Sequence, residues 1–545
     1  MWRNNISFLS SIVLNRSPDN DPLLMPEKIS LPDNTPFVSV IVLNYNSMAH
    51  LPDNLASLHQ LDYPAGRLEI VLADNASSDG STEWVAANYP AVRIVQNGAN
   101  LGFAAGNNAA AATARGQWLA ILNPDTRARP EWLAELVRPA LAEPEIVCVA
   151  SRMLSWDGAT IDFADAAINF MGWGCQPGYG SRRLDDFTQD KEILFAVGGA
   201  MLVKRPVFLD AGGFDPDYFA YYEDVDLGWR LWLMGHKVAL APRAVVYHRH
   251  HGSWDSVHDA QKWLLAERNT LFTIIKNYGD DSLARALPAA LLLALQRAYL
   301  DIQPDPHVFV GVAAAPANSI FGPRYYLAQA RTLLRQGNYR ELRQRARDEL
   351  ERRWRSRGQA APGVVVRPRQ QPIEGHFAVP AVALSRLLAG RNLLQALPRL
   401  QEKRKTVQAR RRRSDRQIFP LFQWALRSNF GDDLFIHAMN QVSARFGLIG
   451  LFEGAQQPEP LDRPGQALSW EVSLLLLRLM DRAFRLSGAP EAAFRLDGPA
   501  PEATLPVPIE SVAVLARVNQ LLWALPDAPL VELFAWLKER LESIE

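Results

Sequence analysis

Phe37-Val-Ser-Val-Ile-Val-Leu43 runs straight into Asn44-Tyr45-Asn46, and that junction decides the fold. A β-rich, nearly unbroken apolar run is what a strand buried on both faces needs, and the polar triplet ends it. Reading outward, an apolar-periodic helix is expected near His50 to Gln60. A second strand follows at Leu68 to Ala73, closed by Asp74-Asn75, then a helix at Ser81 to Asn88. Val92 to Val95 reads as a third strand, Phe103 to Arg115 as an Ala-rich helix and Trp118 to Leu122 as a fourth strand. Strands and helices alternating at this spacing imply βαβ units, hence an α/β domain with a mostly parallel sheet covered by helices on both faces. Ahead of it, residues 1–36 read as a tail and linker, rich in Pro, Asn and Asp from residue 15.

In such sheets ligands bind beyond the carboxyl ends of the strands. Asn44, Tyr45 and Asn46 end the first strand, Asp74 and Asn75 the second, and Asn123, Pro124 and Asp125 the fourth. Asp125 is placed to hold a hard divalent cation against a departing diphosphate, although Asn-Pro-Asp is also ordinary turn chemistry. Tyr221-Tyr-Glu-Asp-Val-Asp-Leu-Gly-Trp-Arg230 puts three acids at the start of a helix, where the backbone dipole favours them. Dipole complementarity does not explain aromatic residues ahead of three acids in four positions, and a general base does. Ala244-Val-Val-Tyr-His-Arg-His-His251 is a β-branched run ending in imidazoles, so His248 can reach the ion on Asp125. A lone His at a strand end is more often structural, but three such coincidences at one sheet edge favour one active site. Asn100-Leu-Gly-Phe-Ala-Ala-Gly-Asn-Asn108 lacks the spacing of either phosphate-loop signature. Gly198-Gly199 and Gly212-Gly213 mark close backbone approaches or tight turns.

Taken in order, Val38 to Asn46, Val71 to Gly80, Asn100 to Asn107, Leu122 to Thr126, Gly198 to Arg205, Gly212 to Phe214, Tyr222 to Arg230 and Val245 to His248 resemble the motif set of family 2 glycosyltransferases with the GT-A fold. The resemblance covers residues 37–278 and is greatest to bacterial rhamnosyltransferases that build cell-envelope polysaccharides. It implies an inverting transfer of a sugar, rhamnose among the candidates, from a dTDP- or UDP-sugar to a hydroxyl of a glycan or polyprenyl-linked acceptor. It implies Asp224 as the base, Asp125 and His248 as ligands of Mn2+ or Mg2+, and Asp74 as the acid that reads the nucleotide base. Asn44, Tyr45, Asn46, Asn75, Asn107, Asn123 and Asp125 join Asp74 as donor-binding positions. Asn123 stands where the family's Asp-x-Asp motif has its first acid, so the metal site has one carboxylate fewer. The Gln-x-x-Arg-Trp motif of processive synthases is absent, which implies addition of one or a few sugars.

After Lys276 the pattern turns helical, giving a basic helical region over 279–420 and a further helical region over 421–545. Arg331 to Arg357 and Leu400 to Arg416 read as basic helices; Leu468 to Phe484, Ile509 to Leu525 and Leu530 to Ile544 read as apolar or amphipathic ones. The chain carries 58 basic and 58 acidic residues, which argues against nucleic acid as partner. The charge is uneven, however, with 23 Lys or Arg against 7 Asp or Glu from Arg331 to Arg416. Such a segment, densest at Arg410 to Arg413, is expected to associate peripherally with an anionic bilayer or to form a solvated helical face. Only Cys148 and Cys175 occur, which fits a reducing, cytoplasmic setting. The apolar runs Ile6 to Leu14 and Ala286 to Leu295 are too short to span a bilayer. Two other classes stand beside the transferase. A sugar nucleotidyltransferase would need a Gly-rich basic loop where Asn44-Tyr45-Asn46 stands, and a scaffold protein would have no use for Asp125, Asp224 and His248.

Overall fold

The computed structural model describes residue 32 and residues 35–249, 259–309, 369–428, 430–454, 458–495 and 501–545. Strand β1 (Val38–Asn44) is followed by helix α1 (Leu51–Leu58), β2 (Leu68–Asp74), α2 (Ser81–Asn88), β3 (Arg93–Gln96), α3 (Gly102–Thr113) and β4 (Trp118–Leu122), the order expected from the sequence. β1 lies between β2 and β4 and parallel to both, with Asn44 opposite Asp74 and Val42 opposite Leu122. This register brings three carboxyl ends to one edge. Val38, Val40, Ile41, Val42 and Leu119 are fully buried, as strands covered on both faces require.

Beyond β4 the sheet becomes mixed. The elements are β5 (Thr126–Ala128), α4 (Trp132–Ala142), β6 (Ile146–Ser155), β7 (Ile161–Phe163), β8 (Ala167–Ile168), β9 (Gly174–Cys175), β10 (Lys191–Glu192), β11 (Ala200–Lys204), α5 (Arg205–Asp210), α6 (Glu223–Leu233) and β12 (Lys237–His248). β11 inserts antiparallel between β4 and β6, and β12 runs parallel to β6. The main path of the ten-stranded sheet is β10-β12-β6-β11-β4-β1-β2-β3. The β12 register slips between Ala241 and Val245, around Pro242, which has no N–H for the ladder. The far end of β12 then pairs with β5, His248 opposite Thr126, and this carries the imidazole to the loop that holds Asp125.

Two compact units make up the chain: residues 1–290, 392–429 and 448–466 form the first, and residues 291–391, 430–447 and 467–545 the second. The remaining elements are α7 (Asp259–Asn277), α8 (Asp280–Ile302), β13 (His376–Pro380), α9 (Ala381–Ala409), α10 (Asp415–Ile418), α11 (Asp433–Arg445), α12 (Leu448–Glu453), α13 (Arg463–Leu486), β14 (Thr504–Pro508), α14 (Ile509–Trp523) and α15 (Leu530–Glu542). The run Ala286 to Leu295 belongs to α8, which Pro288 does not end. By length and composition α8 is able to cross a membrane, and its apolar window is 94% buried. Within the second unit, β13 and β14 form an antiparallel ladder with Phe377 opposite Val507. The sequence hid it, because Pro380, Pro506 and Pro508 break the strand signal.

In the first unit the helix expected at Leu400 to Arg416 stops at Ala409. The N–H groups of Arg412 and Arg413 are given to the Leu233 carbonyl rather than to a further helical turn, and Ser414 opens a capping box for α10. Several of the basic side chains face partners. Lys403 bridges Asp215 and Asp217, Arg410 pairs with Asp210, Arg411 with Asp415, and Arg413 lies over Trp232 at 4.8 Å. The runs Arg331 to Arg357 and Ile6 to Leu14 lie outside the described residues.

Candidate active site

The β1 and β2 ends form one polar knot. Asn44, fully buried, directs its amide at Asp74 Oδ1 (2.9 Å), Ser77 Oγ (3.0 Å) and Ser81 Oγ (2.8 Å). Asp74 also accepts from the Ser77 N–H, and Asn46, at φ 51°, accepts from the Ser78 N–H at 2.8 Å. Tyr45 stands out of this knot, 48% exposed. Asn75 reaches the other way, donating to the Gly102 carbonyl at 3.1 Å and accepting from Asn97 at 2.8 Å. Asn107 is buried inside α3 and donates to the Phe103 carbonyl one turn back. The Asn44 amide is thus committed to the protein's own loop, and that of Asn107 to its own helix. Tyr45 and Asn46 are the members of the set exposed to solvent.

The Asn-Pro-Asp turn is pinned by α1, whose Asn54 amide donates to the carbonyls of Asn123 and Thr126, both at 3.1 Å. Asp125, 2% exposed, faces His248, with Nε2 3.4 Å from Oδ1. The other imidazole nitrogen, Nδ1, lies 2.6 Å from Asp162 Oδ2 on β7. Burial alone would lower the proton affinity of His248, but the hydrogen bonds and charges of Asp125 and Asp162 outweigh it and hold its pKa at about 9. Asp125 is in turn kept below the usual carboxylate range by His248 and His50, against the opposing effect of burial. A carboxylate oxygen and an imidazole nitrogen facing each other, with a carboxylate orienting the imidazole from behind, is a donor set that fits one side of a divalent cation, the proton on Nε2 giving way. No group of three or more metal-ligating side chains occurs among the described residues, so the rest of such a shell would come from substrate oxygens and water.

Asp224 is held by two N–H groups, Gly198 to Oδ2 and Val225 to Oδ1, both at 2.8 Å. Burial nevertheless raises its pKa. Glu223 beside it is pushed well above the usual range by burial, by Asp224 and by Asp226. Asp226 has a different fate: fully buried, it is neutralised by Arg230 (2.8 Å) and Lys276 (2.9 Å), a structural ion cluster. The Gly198-Gly199 step ties Asp224 to the Asn-Pro-Asp turn, since Asn123 N–H donates to the Gly199 carbonyl at 2.9 Å. A Cβ on Gly198 would lie 2.9 Å from Phe103 Cζ, so any larger residue there has to push the Phe103 ring aside.

The turn that delivers Glu223 and Asp224 is strained. Phe219, Tyr221 and Tyr222 all have positive φ, 62°, 69° and 68°. Asn269 of α7, fully buried, holds it by donating to the carbonyls of Tyr218 (3.0 Å), Ala220 (2.9 Å) and Tyr221 (2.8 Å). From the other side the Ala104 N–H donates to the Phe219 carbonyl at 3.1 Å. Asp162, His50 and Asn269 were not among the residues expected from the sequence. The site thus gathers Asn123, Asp125, His248 and Asp224 around one loop, while Asn44, Asn46, Asp74 and Asn75 gather at the β1–β2 end.

Residues 39–211 match the model of glycosyl transferase family 2. This stretch is a family 2 glycosyltransferase domain. On the mixed sheet described above it has the GT-A fold. Similar proteins include the N-acetylglucosaminyl-diphospho-decaprenol L-rhamnosyltransferase of Mycobacterium tuberculosis, 29% identical over 245 residues, 40% of this chain and 78% of that protein. The O-antigen biosynthesis protein RfbC of Myxococcus xanthus is 29% identical over 260 residues, 42% of this chain and 19% of that protein. Among solved structures, GalNAc-T7 with UDP, GalNAc and Mn2+ superposes with a TM-score of 0.39 at 19% identity, covering 47% of this chain and 51% of that one. The glycosyltransferase domain therefore has relatives in rhamnosyl transfer and polysaccharide synthesis, and the matches with both curated relatives span less than half of the chain.

Proposed function

We propose that the glycosyltransferase domain is an inverting, divalent-metal-dependent enzyme that moves a sugar, L-rhamnose in our reading, from a dTDP- or UDP-sugar to a hydroxyl of a polyprenyl-linked glycan acceptor at the cytoplasmic face of a membrane. The observation that carries this reading is the meeting of the Asp125–His248 pair with the half-buried carboxylate of Asp224 through Asn123 and Gly198-Gly199. Asp224, fixed by two N–H groups and with its proton affinity raised by burial, accepts the proton of the acceptor hydroxyl. The acceptor oxygen bonds to the anomeric carbon as the bond to the diphosphate oxygen breaks, and the electron pair leaves with the diphosphate. Mn2+ or Mg2+ on Asp125 and His248 would supply Lewis-acid neutralisation of that leaving group. Asp162 fixes the imidazole so that Nε2 faces Asp125, the side on which the pair would hold the ion. Tyr45, Asn46, Asp74 and Asn75 make up the nucleotide side of the site.

The test is transfer from dTDP-rhamnose and a panel of UDP-sugars to a polyprenyl-linked glycan, with Mn2+, Mg2+ or chelator, the product anomer being assigned by NMR. Inverted product formed only with metal supports the reading; hydrolysis or retained configuration sinks it. In calorimetric titrations of the nucleotide diphosphate, Asp125→Ala should remove the metal-dependent part of binding, and His248→Ala should reduce it less, a neutral ligand contributing less than a charged one. Equal affinities in both variants and wild type would show that these residues are not ligands.

A further inference from the structure

At the amino end of β12, the end of that strand away from His248, a cavity of about 600 Å³ opens beside α5 and the chain leaving α9. Its walls carry Val207 and Met234, and also Asp210, His236, Arg410 and Arg412. The charges do not balance. Arg410 is answered by Asp210, while the guanidinium of Arg411 reaches Asp415 and that of Arg413 reaches the carbonyls of Gly235 and His236. Arg412 is exposed, and its guanidinium has neither ion pair nor hydrogen bond among the described residues. The groups that bear on His236 are Arg412 and Arg413 after α9, Asp210 on α5 and Lys204 on β11. Burial and the cations among them lower its proton affinity, with only Asp210 opposing. A positive, partly apolar cavity with one uncommitted guanidinium is shaped for an anion.

We propose that this cavity binds a phosphate ester, its oxygens on Arg412 and Arg410 and its carbon portion against Val207 and Met234. Planar guanidinium donors match phosphate oxygens, and charge-assisted hydrogen bonds of this kind are the strong ones. An arriving anion offsets the field that keeps His236 neutral, so binding takes up a proton and is tighter at lower pH. Asp210 competes for Arg410 and weakens the site. The ester comes either from a phospholipid headgroup or from a soluble phosphorylated molecule, and the two are separable.

The experiment titrates the full chain with sodium sulfate at constant ionic strength, sulfate being chosen because it keeps one charge state between pH 6 and pH 8. We expect binding tighter at pH 6, weakened at least tenfold in Arg412→Gln, strengthened in Asp210→Asn, and without pH dependence in His236→Gln. Arg412 has no partner to lose, so its variant should fold as wild type does. A second arm compares phosphatidic acid vesicles with glucose 6-phosphate. Vesicle binding that sulfate competes away and that Arg412→Gln loses identifies a headgroup; glucose 6-phosphate binding alone identifies a soluble ester. Sulfate affinity equal in wild type and Arg412→Gln overturns the site. None of these readouts involves sugar transfer, so they stand or fall apart from the proposed reaction.

Discussion

Asp224 sits where two requirements oppose each other: a base must be ionised to accept a proton, and burial favours its protonated form. The Gly198 and Val225 N–H groups temper the conflict by stabilising the charge. Replacing Asp224 with Asn keeps the shape and removes the base, so kcat should fall on the order of 10²–10⁴-fold with donor affinity nearly unchanged. Transfer within tenfold of wild type would move attention to Glu223. Glu223 itself yields a stability prediction. Its folded-state pKa is raised above the ordinary 4.5, so its contribution is fully present below that value and is lost as pH rises toward the folded-state pKa. The loss runs at up to about 1.4 kcal/mol per pH unit. Urea unfolding of wild type against Glu223→Gln should therefore diverge between pH 5 and pH 8, the variant becoming relatively more stable. Parallel curves would mean that the carboxyl ionises in the folded protein.

At the scale of elements, the turn before α6 is held in place by α7. Asn269→Ala would strip one donor group from three carbonyls at once, and buried groups left without a partner cost about 1–3 kcal/mol. We expect a loss of that order in denaturant unfolding, together with a fall in kcat greater than any rise in KM, because the turn aims Asp224. A change in KM alone would place Asn269 in substrate binding instead. This turn could not be read from the sequence: left-handed backbone is expected at glycine or asparagine, and here Phe219, Tyr221 and Tyr222 adopt it. By contrast β1, β2 and β4 were legible because they are apolar runs punctuated by polar residues, and a strand's carboxyl end is where binding groups gather. Asp162 gave no signal. Its role comes from a contact with His248, 86 residues away, at the end of β12 beyond the register slip around Pro242.

At the scale of the molecule, the first unit is not a continuous stretch of chain. Residues 392–429 return to it, where Lys403 meets Asp215 and Asp217, Arg404 donates to the carbonyls of Ile275 and Tyr278, and Phe422 packs edge-on to Trp229 at 5.0 Å. Such long-range closure leaves no local pattern, so the sequence showed a basic helix and not where it docks. A fragment ending at residue 290 leaves Asp215 and the Trp229 face uncovered. It should unfold without a sharp transition by circular dichroism, and co-expression with residues 392–466 should restore one. A cooperative melt of the fragment alone would show that the returning segment is dispensable.

That discontinuity also has a clock in it. On the ribosome about 100 residues separate position 290 from position 392, and at roughly 5–20 residues per second the nascent sheet waits on the order of 10 s for the segment that covers it. During that interval the acids destined for Lys403 and the aromatic face destined for Phe422 are open to chaperones, and a chain released early is left with its sheet built and its cover missing.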